Sequence, residues 1–176
     1  MTAITRRGFV GGVAATPLVL GVLASVPGTS FASGPRLLLF DPALAAGRRF
    51  AEQAMRLAAP ARAIEGDRIR FARAVLAQAP ASIFAVARHS DELLIGEVAR
   101  ELGYRQIALI HHEPGGEIVS RCHASAAAIG TLVRLAGARW PEAFAEVAIG
   151  GLSACQLVRD ASPSDKAIGW VMTKAA

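Results

Sequence analysis

Three of the four histidines in this 176-residue chain lie in two short polar clusters, Arg88-His89-Ser90-Asp91-Glu92 and His111-His112-Glu113. Each cluster follows a run of apolar and β-branched residues. Imidazole and carboxylate groups hold borderline divalent cations such as Zn²⁺, or exchange protons near neutral pH. Other acids follow other apolar runs: Asp41 after Leu37-Leu38-Leu39-Phe40, and Glu65 and Asp67 after Ala61-Arg62-Ala63-Ile64. Side chains alternate along a strand, so His111 and His112 point to opposite faces and do not readily share one ion. Across a three-residue hairpin loop at Pro114-Gly115-Gly116, His111, Glu113, Glu117 and Arg121 would share a face. The candidate catalytic residues are therefore His89, His111 and Glu113, and the candidate ligand-binding residues are Asp41, Arg88, His89 and His111. The candidate metal ligands are His111, Glu113 and Glu117, with His89 joining if its strand is a neighbour. The alternative is that these are the polar ends of strands and a solvated hairpin tip. No particular cofactor or metal is indicated.

Other site chemistries lack their motifs. The first strand-to-helix turn, Phe40-Asp41-Pro42-Ala43, has no glycine-rich loop through which a backbone approaches a pyrophosphate. There is no P-loop, no Gly-x-Ser-x-Gly elbow, no Cys-x-x-Cys and no Cys-x-x-Cys-His. Nicotinamide-enzyme, ATPase, serine-hydrolase, thioredoxin and c-type cytochrome readings lose their main support. Cys122 beside His123 suggests a nucleophile and base, but adjacent strand residues diverge and no oxyanion donor is apparent. Cys122 and Cys155 are a candidate disulfide if their strands are adjacent, contributing about 3 kcal/mol; buried free thiols are the alternative. Trp140 and Trp170 read as core or interface anchors.

The elements that position these residues follow from apolar periodicity. Leu37–Phe40 is a continuous apolar run, as in a strand buried on both faces. Asp41-Pro42 then predicts a helix start, with Asp41 as N-cap and Leu44, Gly47, Phe50, Ala51, Ala54 and Leu57 inward. Ala61–Ile64 is a weak second strand. Asp67 is a cap for a helix with Ile69, Ala72, Val75, Leu76 and Ala79 on one face. Ser82–Ala87 is the strongest strand by composition. Ser90 is expected to cap a third helix, with Asp91 and Glu92 near its positive end and Leu94, Ile95, Val98 and Leu102 inward. Gln106–His111 is a fourth strand, and Glu117–Arg121 is the return strand of a hairpin. An alanine-rich helix from about Ala124 to Ala136, a helix opened by Pro141, and two runs at Cys155–Arg159 and Ala167–Met172 complete the chain. This alternation predicts an α/β domain of three layers, Rossmann-like or flavodoxin-like. Its first half is parallel and the C-terminal half adds antiparallel strands. Ligands of such sheets bind at the carboxyl ends of the strands, where the histidine clusters fall.

The first 32 residues have a different character. Thr5-Arg6-Arg7-Gly8-Phe9-Val10 opens an uncharged stretch to Val26, and Pro27-Gly28-Thr29-Ser30-Phe31-Ala32 ends with small residues at the two positions a signal peptidase reads. This segment resembles a twin-arginine signal peptide, with Arg6 and Arg7 as its arginines and cleavage after Ala32; Gly11 replaces the customary lysine. The resemblance implies export of a folded domain, residues 33–176, to the periplasm through the twin-arginine translocase. It also implies passage beside, or in service of, a co-exported redox enzyme. An uncleaved N-terminal anchor is the alternative, since the run of about 18 residues reaches the lower limit of a membrane span, although Pro17 interrupts it.

A hydrophobic fraction of 53% owes much to alanine and to this leader. Without Arg6 and Arg7, 17 basic side chains face 14 acidic ones, with no clustered basic stripe. That surplus is too small to predict a nucleic-acid partner. Two roles remain open: a non-catalytic accessory or binding module, and a small metal-dependent or acid/base enzyme using the histidine edge.

Overall fold

The computed structural model describes residues 34–112, 118–122, 127–150 and 166–175. They form six strands and five α-helices. In chain order these are β1 (Arg36–Phe40), α1 (Ala45–Arg56), β2 (Arg62–Ala63), α2 (Arg68–Leu76), β3 (Ser82–Ala87) and α3 (His89–Glu101). Then come β4 (Tyr104–His112), β5 (Ile118–Cys122), α4 (Ala127–Ala136), α5 (Trp140–Ile149) and β6 (Ile168–Lys174). The sheet order is β2-β1-β3-β6-β4-β5. The strands β1, β2 and β3 are parallel. The last strand, β6, runs antiparallel between β3 and β4, so β4 points the same way as β1 and β3. The β4–β5 pair is the expected antiparallel hairpin, with His111 opposite Val119 and His112 opposite Ile118.

Apolar residues on both sides of the strands meet helices on both faces of the sheet. On one face Leu38, Phe84, Val86, Ile110 and Val171 pack against α1, α4 and α5. Phe144 is the centre of that layer, with ring centroids 5.8 Å from both Phe50 and Phe84. On the other face Leu37, Leu39, Ile83, Ala85, Ile168 and Trp170 pack against α2 and α3. Trp140 and Trp170 are both buried, as core anchors should be. Two close approaches within the packed layers occur at glycine. A Cβ at Gly47 would lie 2.3 Å from the Asp41 carbonyl oxygen, and one at Gly169 would lie 2.9 Å from the Trp140 ring. Among the described residues no helix is long and apolar enough to cross a membrane.

Several local expectations need correction. Asp41 does not cap α1, which begins at Ala45 with Leu44 at the N-cap. Instead the Asp41 carboxylate accepts a hydrogen bond from the Ala43 amide at 2.8 Å, closing a turn that takes up Pro42. Ser90 does not cap α3, whose N-cap is Arg88. The inward face of α3 is also rotated: Asp91, Glu92, Ile95, Val98 and Ala99 are buried, while Leu93, Leu94 and Leu102 are exposed. Asp67, by contrast, caps α2 as expected, accepting from the Arg70 amide at 2.8 Å. Leu57, Ile69 and Ala79, expected inward, are exposed, and Ala79 lies past the end of α2, which stops at Leu76.

Candidate functional site

The carboxyl ends of β1, β3 and β4 lie along one edge of the sheet, because these strands point the same way. In the β1–β3 register Phe40 is opposite Val86, and the Asp41 amide donates to the Val86 carbonyl at 3.0 Å. Asp41 therefore lies beside the residues that follow β3. Arg88 Nε is 3.0 Å from Asp41 Oδ2, while Asp41 Oδ1 holds the Ala43 amide. The Arg88 contact is an ion pair without hydrogen-bond alignment, so Oδ2 has no aligned donor among the described residues. Asp41 is only 3% exposed, so the nearby Arg88 charge offsets the burial of its carboxylate.

A second ion pair extends this one. Arg68, the first residue of α2, donates from Nε to Asp91 Oδ1 at 2.8 Å and from Nη1 to the Gly66 carbonyl at 2.6 Å. Its hydrogen bond to Asp91 raises the guanidinium pKa above its ordinary value, with the charges of Asp91 and Asp41 adding to the shift and burial opposing it. Glu92, also buried, forms the third link. Its Oε2 lies 3.4 Å from His89 Nδ1, and its Oε1 lies 3.7 Å from Arg100 Nη2. Arg100 also pairs with Glu97. Three buried carboxylates, Asp41, Asp91 and Glu92, are thus matched by three arginines, Arg88, Arg68 and Arg100.

The histidines come together by a route that strand adjacency does not predict. Ala87 of β3 and His111 of β4 both stand opposite Ile168, on either side of β6. Two strand spacings separate them, about 9.5 Å. Helix α3 begins at His89 and turns back over β6 and β4, and the His89 and His111 rings close that gap to 5.9 Å between centroids. The His89 side chain is more than half exposed and His111 is partly so.

Of the sequence-derived candidates, Asp41, Arg88, His89 and His111 are gathered at this edge. Glu65 and Asp67 are exposed, and Asp67 serves α2 as a cap. Glu113 and Glu117, with Cys155 of the candidate disulfide and Arg6, Arg7 and Ala32 of the leader, lie outside the described residues. Cys122 ends β5. No cluster of three histidine, cysteine or acidic side chains able to hold a metal occurs among the described residues. Sequence reasoning missed Arg68, Asp91, Glu92 and Arg100 as parts of the site. A signal existed: positions 91, 92, 95, 98 and 99 form a better helical face than 94, 95, 98 and 102 once acids are allowed inward. Comparison of the chain with protein-family models, curated proteins and solved structures gives no match.

Proposed function

We propose that this chain is a non-catalytic accessory or binding module that works in the periplasm after folded export through the twin-arginine translocase. A co-exported redox enzyme is the partner class such an exported module would serve. The observation that carries the reading is the self-neutralised sheet edge. Asp41, Asp91 and Glu92 sit where an α/β enzyme would place its acid or nucleophile, and each is matched by an arginine of the same domain. Carboxylates so matched are fixed in position by ion pairs of the same domain, which suits structure more than proton transfer. The absent glycine-rich loop and the Asp41 turn in its place argue against a dinucleotide at the β1 end. The frame we propose is flavodoxin-like or Rossmann-like. Support comes from the β2-β1-β3 order and from a parallel β4 beyond it; the inserted antiparallel β6 is a variation on that frame.

A second reading, a small acid/base or metal-dependent enzyme, is favoured by one observation. Glu92 contacts His89, and His89 faces His111 across 5.9 Å. Intact mass of the protein recovered from the periplasm, under native and then denaturing conditions, separates the two. The module reading expects a chain beginning at Ser33 with no tightly held organic group. An organic adduct that survives native purification and leaves on denaturation overturns it in favour of an enzyme.

A further inference from the structure

We infer that His89 and His111 form an exchangeable two-histidine site for a divalent transition cation, Zn²⁺ or Cu²⁺. The inference rests on the binding-module reading and names its ligand class. An ion about 2 Å from one nitrogen of each imidazole lies roughly 3 Å from each ring centre, so ring centres about 5–6 Å apart span a single cation. The observed separation is 5.9 Å, with the ring planes inclined at 55°. Glu92 Oε2 stands 3.4 Å from His89 Nδ1. A carboxylate there favours the proton on Nδ1 and leaves Nε2 as the free donor, the usual outer-sphere arrangement of metal-binding histidine. Glu92 is itself buried and held by Arg100, so this orientation is built into α3.

The local charge permits a cation. Among the described residues, Arg88, Arg68 and Arg100 are nearby positive groups, and each is already matched, by Asp41, Asp91 and Glu92. With two protein ligands among the described residues, water completes the coordination. Affinity is then modest and exchange fast, as expected of a site that binds or passes on an ion. Imidazole nitrogen binds Cu²⁺ more tightly than Zn²⁺ in the general order of divalent affinities.

The test is titration of the full-length protein, freed of metal by chelation, with Zn²⁺ and separately with Cu²⁺, read by calorimetry. One Zn²⁺ is expected to bind, with Cu²⁺ tighter. His89→Asn and His111→Ala should each lower the zinc affinity roughly tenfold or more, and Glu92→Gln by a smaller factor through loss of the His89 orientation. Electron paramagnetic resonance of the copper form should show coupling to two imidazole nitrogens, and to one in His111→Ala. Because the His89 side chain is largely exposed, its substitution leaves the core intact, and circular dichroism checks the fold of each variant. Unchanged zinc affinity in folded His89→Asn and His111→Ala proteins overturns the inference. So does a loss of binding that follows His112→Ala alone. Failure of zinc to bind leaves the module reading standing, because that reading is judged by the organic adduct in the native mass.

Discussion

Asp91 and Asp41 are buried carboxylates paired with arginines at the sheet edge, and a buried charge left without its partner is expensive. Replacing Arg68 with Gln should lower stability by about 2–3 kcal/mol, measured as a shift in the urea midpoint. Combining Arg68→Gln with Asp91→Asn should recover part of the loss, because the uncompensated carboxylate is then gone. No recovery would mean that Arg68 acts through packing. Tyr104 is a second buried polar residue, donating to the Pro80 carbonyl at 2.7 Å. Burial pushes its phenol above the ordinary value of 10.0, so the neutral form is preferred in the folded state. Its contribution is complete below the unfolded value and is lost as pH rises through the folded one. Tyr104→Phe should therefore cost about 1 kcal/mol at pH 8 and show a shallower decline of stability above pH 10 than the native protein. Parallel declines would remove this role.

At the scale of elements, α1 and α5 form the best-defined helix pair. Gly47 brings α1 onto the β1–α1 turn, where any Cβ would strike the Asp41 carbonyl. Gly47→Ala should cost about 2 kcal/mol or more through overpacking, despite alanine's better helix propensity. The Asp41–Arg88 geometry should loosen with it, since that turn fixes the Asp41 carboxylate that Arg88 meets. Between the helices, Arg49 pairs with Glu142 through two hydrogen bonds of 2.8 and 2.9 Å and also reaches the Ala138 carbonyl. Both side chains are partly exposed, so a double-mutant cycle on Arg49 and Glu142 should return a coupling of only about 0.5–1 kcal/mol. Helix α3 shows how element-level reading fails. Its leucines at 94 and 102 imply part of an apolar face, yet α3 presents Asp91 and Glu92 inward, because arginines from α2 and from its own last turn are there to meet them.

For the whole molecule, β6 is the strand that joins the halves. It lies between β3 and β4, and among the described residues the two parts of the sheet have no other strand contact. A chain ended before Ile168 should lose cooperative thermal unfolding, with Trp140 and Phe144 exposed by loss of their packing against Gly169 and its neighbours. A native-like transition in that truncation would show that the helices alone hold β4 and β5 in place. Export belongs at this scale too. Arg6→Lys with Arg7→Lys should retain the chain in the cytoplasm if the leader works as proposed, as read by fractionation; unaltered export would overturn the twin-arginine route.

The α/β class, the parallel first three strands, the β4–β5 hairpin and the Asp67 cap were legible in sequence because each depends on local chemistry: apolar period, turn residues, a capping carboxylate. So was the placement of Asp41, Arg88, His89 and His111 at one edge, since strands that point the same way share their carboxyl ends. What the sequence did not contain was which strands are neighbours. The insertion of β6 between β3 and β4 pairs residues more than 80 positions apart, as with Ser82 and Thr173, and no local pattern specifies that choice. Only the tertiary structure decided that Arg68 meets Asp91, that acids rather than leucines line the inner face of α3, and that His89 reaches His111 across an intervening strand. These outcomes depend on how a helix is rotated when long-range partners offset the burial of charge, and that balance exists only in the packed molecule.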